Sequence, residues 1–371
     1  MVAMSTIAPA PALDNTEVAL AVDSRTWRYR LREAARSVSR GYAVAGCGTP
    51  LGHGVALQVL QDGSGGLGGI ETCSSVWACP VCSARIGMGR RAELVRLVEW
   101  ARAENLHVSF LTLTQRHTAG DSLPALWDRI SKAWARLTPR KSWISMKGQV
   151  GWRGYVRAME VTHGRHGWHV HAHFLILTER PLEGLIEVRM GRRVEHEDVH
   201  RFIGRSWEEL IRRQGGDVVA GAGVDLRAVT GGTEDIVARY VGKSGSDIGL
   251  EMAMGAHKRG RRDSRTPFQV LADLEAFDTL RDREIWREWL AGSKGRLQLV
   301  WSRGLKDAAG ISEMTDEEVS EQGGERDTLG FISRDDYVRV LESGLVPDLL
   351  EIIESGDIGG IIGTLGSRRS Q

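Results

Sequence analysis

The decapeptide Trp168-His-Val-His-Ala-His-Phe-Leu-Ile-Leu177 alternates polar and apolar positions with a period of two. That period predicts a β-strand whose successive side chains point to opposite faces. One face then carries His169, His171 and His173. The other carries Trp168, Val170, Ala172, Phe174 and Ile176, an unbroken apolar surface suited to burial against helices. Upstream, Tyr155–Thr162 reads as a second strand, joined to the first as a hairpin through His163-Gly-Arg-His-Gly167, and Val108–Thr114 reads as a third. Apolar residues at helical spacing predict helices over 83–104, 122–137, 197–214 and 275–291, and 217–229 reads as a weaker strand. Thr233 is placed to cap a helix over 234–243, with Gly245 to end it. The Gly-rich stretch 62–69 reads as a flexible hairpin tip. This order of elements predicts an α/β (α+β) protein: an antiparallel or mixed sheet covered by helices on one face.

Composition narrows the class. The 371 residues are 42% hydrophobic and 26% charged, as in ordinary globular proteins, and no apolar run approaches the length of a membrane span. The first twenty-five residues have neither the basic start nor the apolar centre of a signal peptide. A cytoplasmic protein with reduced thiols and no membrane partner is expected. The net charge of +1 hides an asymmetry: residues 306–371 hold 15 acidic and 6 basic residues, about −9, which leaves about +10 for residues 1–305. A basic body suits a polyanion such as nucleic acid, and the acidic end reads as a separate extension.

Two clusters point to metal. Imidazole is the commonest metal ligand among side chains, and three imidazoles in a row on one strand face have no use in an apolar core. The alternative is a surface strand that happens to be rich in histidine. The only four cysteines, Cys47, Cys73, Cys79 and Cys82, fall in one window, and Cys79-Pro-Val-Cys82 makes a CxxC turn. Four thiolates around one ion is the closed structural arrangement of Zn²⁺, with His53 as a substitute for the distant Cys47. A redox CxxC needs no further cysteines.

A third element is Ala238-Arg-Tyr-Val-Gly-Lys243, which sets Tyr240 and Lys243 one helical turn apart. By itself the pair reads as a half-buried tyrosine beside a solvated lysine. Taken together, the motifs resemble those of the His-hydrophobic-His (HUH) endonucleases, and among them the initiators of rolling-circle plasmid replication of the actinobacterial type. Phe110-Leu-Thr-Leu-Thr114 resembles the first motif of that family, Trp168–Leu177 the metal-binding second, and Arg239–Lys243 the third, which carries a nucleophilic tyrosine. Thr72–Cys82 resembles the cysteine segment upstream of the nuclease. The resemblance covers roughly residues 41–270, and nothing beyond 305 takes part in it.

The resemblance implies a DNA endonuclease that nicks one strand of a plasmid double-strand origin. Tyr240 would attack the scissile phosphate, giving a 5′-phosphotyrosine and a free 3′-OH, with Lys243 stabilising the developing charge. It implies Mg²⁺ or Mn²⁺ on His171 and His173, with His169 either a third ligand or a neighbour behind the ligands, and Glu160 either a carboxylate ligand or a surface residue. Single-stranded DNA and a host helicase and polymerase are the implied partners. Where some relatives carry a glutamate one turn before the tyrosine, this chain has Ile236, with Asp235 and Glu234 the nearest carboxylates. Lys258, Arg259, Arg261 and Arg262 are candidate phosphate contacts. Trp77, Trp152 and Trp168 are candidates to stack on unpaired bases, and Trp127, Trp134 and Trp207 are candidates for the core. The expected organisation is a flexible tail (1–40), a zinc module (41–92), the nuclease (93–250), a basic and helical DNA-contacting segment (251–305) and the acidic extension (306–371). An HUH transposase or relaxase, or a non-catalytic zinc-dependent DNA-binding regulator, are the rival readings.

Overall fold

The computed structural model describes residues 25–60, 63–191, 193–219, 221–229, 264–321 and 326–356. Helix α1 (Arg25–Val38) is followed by strands β1 (Gly54–Leu60) and β2 (Gly65–Gly68), the long helix α2 (Pro80–Ala103) and strand β3 (His107–Leu113). Helices α3 (Leu123–Leu137) and α4 (Lys141–Val150) lead to the hairpin of β4 (Trp152–Gly164) and β5 (Gly167–Thr178). Then come β6 (Leu185–Met190), β7 (Arg193–Asp198), α5 (Val199–Arg213) and β8 (Val224–Ala228). After the undescribed residues 230–263 follow α6 (Pro267–Phe277), α7 (Leu280–Ser293), β9 (Leu299–Trp301) and the short α8 (Leu305–Ala308) and α9 (Asp316–Glu321). β10 (Arg326–Ser333), α10 (Arg334–Glu342) and α11 (Val346–Ser355) close the described chain.

The central sheet has the order β8-β3-β5-β4-β9, with every pair antiparallel. The mixed α/β class with helix-covered antiparallel sheets is as expected. The histidine strand lies in the middle, where two neighbours fix its register and therefore which side chains face which side. Val170, Ala172, Phe174 and Ile176 are buried against Trp127, Ile130, Trp134 and Leu137 of α3 and Phe202 and Trp207 of α5. The Trp134 and Phe174 rings lie 4.1 Å apart.

The opposite face departs from the expected single covered side. Past His173 the same row of β5 positions continues as Leu175 and Leu177, which pack with Leu94, Leu97, Val98 and Ala101 of α2. One helix thus covers the apolar end of this face, while the imidazole end carries the polar cluster. The row changes chemistry half-way along one strand.

Described segments towards both ends of the chain are packed into the fold. The tail proposed for 1–40 ends in α1, where Trp27, Leu31, Ala34 and Val38 recur at helical spacing and Tyr29, Leu31, Arg32 and Ala35 are buried. The acidic extension is built into the N-terminal module: β10 pairs with β1 from Gly54↔Ser333 to Leu60↔Arg326, making a sheet of order β10-β1-β2. The Gly-rich run is part of this sheet. A Cβ on Gly65 would stand 2.8 Å from the Leu350 carbonyl, so glycine lets α11 lie against β2. The helix expected over 275–291 is two helices, because Asp278 takes a left-handed conformation (φ 48°) and Thr279 caps α7 through the Asp282 amide, 3.1 Å away.

Trp127, Trp134 and Trp207 are core residues, as expected. Trp77 and Trp168 are core too, not base platforms: Trp77 meets Trp127 and Trp289 edge to face, and Trp168 is 2% exposed. Trp152 is half-buried against Trp143 and Tyr155. Among the described residues no helix is long and apolar enough to cross a membrane.

Candidate metal centres

The β4–β5 register sets Glu160 opposite His171 and Ala158 opposite His173, so the carboxylate and both imidazoles share one face. The potential ligand atoms of Glu160, His171 and His173 all lie within 4.8 Å of one another. His173 Nε2 is 2.6 Å from Glu160 Oε2. On its other side Thr112, directly opposite in β3, brings Oγ1 to 3.0 Å from His173 Nδ1. Phe110, one position along the same face, stacks on the His173 ring at 5.4 Å. His173 is 3% exposed, whereas His171 and Glu160 are half-buried and open the cluster to one side. Two imidazole nitrogens and a carboxylate oxygen, converging without filling a coordination sphere, suit a divalent cation that keeps positions open for another ligand.

His169, a candidate third ligand, stands outside this group and packs on His117, with ring centroids 3.8 Å apart. Its pKa is pushed down to about 4 by burial and by the neighbouring His117 and His171. His117 is itself tied to the His166 carbonyl at 3.0 Å. Sequence reading missed Thr112 and His117. Thr112 lay within the first motif, and counting alternate positions along β3 places it on the histidine face.

The second centre joins all four cysteines. Cys47 Sγ lies 3.6 Å from Cys79 Sγ and 3.7 Å from Cys82 Sγ, and Cys73 Sγ lies 3.7 Å from Cys82 Sγ. Sulfurs about 2.3 Å from a tetrahedral ion stand roughly 3.8 Å apart, so the set fits such an ion without rearrangement. Cys79 is the N-cap of α2 and accepts a hydrogen bond from the Cys82 amide. The positive end of the helix favours thiolates there. Hydrogen bonds from Cys73, Cys79 and Cys82 drive the Cys47 thiol far below its ordinary value, while burial drives Cys79 up. Two guanidiniums lie near the sulfurs: Arg32 is buried and paired with Glu33 at 2.8 Å, and the half-buried Arg85 is 3.4 Å from the Tyr29 hydroxyl. His53 has no part in the cluster; its carbonyl accepts from the Arg334 amide.

Tyr240, Lys243, Lys258, Arg259, Arg261 and Arg262 lie outside the described residues, as do Glu234, Asp235 and Ile236. The chain leaves at Val229, whose amide bonds the Val108 carbonyl, and re-enters at Arg265, which exchanges two backbone bonds with His163. Arg265 follows the candidate phosphate contacts Lys258–Arg262 closely in sequence. Its guanidinium is tied inward to Asp273 and Asp282.

Fold and clusters together define a mixed α/β protein with one closed thiolate centre and one open imidazole–carboxylate centre. Residues 67–181 match the family described as "Replication protein". The span holds Cys73, Cys79, Cys82, Glu160, His171 and His173, and excludes Cys47, Tyr240 and Lys243. A "Protein rep" of Streptomyces lividans is 25% identical over 313 residues, 70% of this chain and 68% of the relative. A "Protein rep" of Lentilactobacillus hilgardii is 29% identical over 131 residues, 34% of this chain and 40% of its own length. A "Neomycin resistance protein" of Streptomyces cyanogenus is 28% identical over 191 residues, 44% and 43% of the two chains. The likeness to the plasmid replication initiators, read from the motifs, is thereby shown. No solved structure matches the chain significantly.

Proposed function

We propose that the protein initiates rolling-circle replication of a plasmid by nicking one strand of its double-strand origin. The observation that carries this reading is the convergence of Glu160, His171 and His173 on one open sheet face, within the replication-protein span. A divalent cation bound there supplies Lewis-acid polarisation of a phosphate oxygen. With two imidazoles among three donors, Mn²⁺ suits the site better than Mg²⁺. Zn²⁺ is the ion for the four thiolates, in a structural role.

Tyr240 is the nucleophile in this reading. Its phenolate oxygen attacks the scissile phosphorus, the P–O3′ bond breaks, and the leaving 3′ oxygen takes a proton to become the primer hydroxyl. The described chain stops at Val229, bonded to Val108, and resumes before Arg265, bonded to His163, at opposite ends of the sheet that bears the cluster. Lys243 offsets negative charge on the phosphoryl oxygens, and Lys258, Arg259, Arg261 and Arg262 bind backbone phosphates. Host helicase and polymerase then extend from the free 3′-OH. Residues 41–92 serve as a zinc module and 93–250 as the nuclease.

The test is conversion of supercoiled DNA carrying the coding region and its flanks to open circles. Cleavage that requires a divalent ion and is lost in Tyr240→Phe supports the reading. Binding without cleavage under any divalent ion favours a non-catalytic DNA-binding regulator instead.

A further inference from the structure

β6 and β7 form a two-stranded ribbon separate from both larger sheets, paired from Leu185↔Asp198 to Met190↔Arg193. A ribbon of this size is marginal by itself, so its anchors matter. Ile186 and Val188 are buried, while Leu185, Glu187 and Arg189 point outward. The base is clamped by Gln149 of α4, whose Nε2 donates to the Glu187 carbonyl (2.8 Å) and whose Oε1 accepts from the Glu187 amide (2.7 Å). Beyond that clamp the ribbon runs to a tight turn at Gly191, held at φ 63°.

The ribbon carries charges of both signs, with Glu187 and Glu195 exposed alongside Arg189 and Arg193. Near the base two acids are engaged: Glu197 pairs with Arg205 (2.8 Å), and Asp198 caps α5 through the Arg201 amide (3.1 Å). At the tip, Arg189 and Arg193 are exposed, and among the described residues neither has an acidic partner. Val194, paired with Arg189, is half exposed, and β7 is an open edge.

The geometry points to this ribbon as a duplex-DNA finger, seated in the major groove with Arg189 and Arg193 on the backbone phosphates. A two-stranded ribbon fits a groove about 12 Å wide, and the unpaired guanidiniums match its phosphate walls. The inference rests on the reading of the chain as an origin-binding protein, but it concerns a different surface. The ribbon is clamped to α4, on the side of the sheet buried by α3 and α5, and the imidazole–carboxylate cluster lies on the other side. A nickase with such a finger holds intact duplex at one place and presents a single strand at another.

The experiment compares the full chain with Arg189→Gln/Arg193→Gln and Arg189→Lys/Arg193→Lys double variants on a mixed-sequence 30-bp duplex. Affinity is measured against salt, and cleavage of supercoiled DNA is scored separately. Each lost phosphate contact flattens the log affinity–log salt slope by about 0.9, so the glutamine variant should lose about 1.8 of slope and roughly thirtyfold in affinity at 0.15 M. The lysine variant should keep most of both. Unchanged duplex affinity and slope in the glutamine variant overturns the finger. So does an equal loss in the lysine variant, which would mark a structural role. Salt-dependent binding through the ribbon without any cleavage would leave the finger standing and overturn the nicking reading.

Discussion

Thr112 Oγ1 and His173 Nδ1 stand 3.0 Å apart across β3 and β5, and this contact decides which ring nitrogen faces the carboxylate. With Nδ1 protonated and donating to Thr112, the Nε2 lone pair points at the region shared with Glu160. A ligating histidine held in this way has its tautomer and orientation fixed in advance. Thr112→Val keeps the shape and removes the acceptor, so it should fold normally and bind Mn²⁺ about 10–100-fold more weakly. Thr112→Ser should stay close to the parent. Calorimetric titration with Mn²⁺ reads both.

The ligands themselves should be less forgiving. His171→Ala, His173→Ala and Glu160→Gln each remove one of three converging donors and should abolish divalent-dependent nicking while sparing DNA binding. His169→Ala should retain cleavage, because that ring belongs with His117. EDTA should stop the parent, and Mn²⁺ should restore it at lower concentration than Mg²⁺. Restoration by Mg²⁺ alone would contradict the donor-set argument.

The two centres should part company under chelation. The thiolate site is closed and the other open, so mild EDTA that ends nicking should leave about one equivalent of zinc on the protein. Cys79→Ser and Cys82→Ser should lose that zinc and much of their stability, whereas His171→Ala and His173→Ala should keep it. Elemental analysis of the purified variants decides the assignment, and the reverse pattern would exchange the two metals.

The C-terminal segment should prove necessary to the cysteine module. Tyr337 is buried, its hydroxyl donates to the Gly48 carbonyl next to Cys47, and Arg334 binds the Pro50 and Gly52 carbonyls. Tyr337→Phe strands a buried carbonyl and should cost roughly 1–3 kcal/mol in a denaturant melt. A chain ending at residue 321 should release zinc under conditions where the full chain retains it. Full zinc retention there would show that β10 is dispensable to the module.

Local patterns made the histidine face legible. The alternation of residues 168–177, the hairpin turn at 163–167 and the periodicity of α2, α3 and α5 are signals carried within a dozen residues, and the hairpin register then brings Glu160 to His171. The four cysteines were legible because their chemistry has so few uses. What escaped was long-range or competed with a stronger impression. The β1–β10 pairing joins residues more than 250 positions apart, and no local signal links an acidic tail to an apolar strand near the start of the chain. The Trp27–Leu31–Ala34–Val38 stripe follows an Ala- and Pro-rich start whose composition gives no helical signal. Asp278 and Thr279 hid a break inside a continuous apolar pattern, because a cap costs no hydrophobic residue. The tryptophans misled because large aromatic rings serve cores and base stacks equally well in sequence.

The nucleophile is the part of the mechanism that sequence alone supplies, and one measurement reaches it. The protein, loaded with Mn²⁺ and incubated with supercoiled DNA carrying its coding region and flanks, is digested with nuclease and protease. Mass spectrometry then locates any residue bearing a nucleotide adduct. A 5′-phosphoryl adduct on Tyr240, absent in Tyr240→Phe and in His173→Ala, is the expected result. An adduct on any other residue, or a nick with no covalent intermediate, would contradict it.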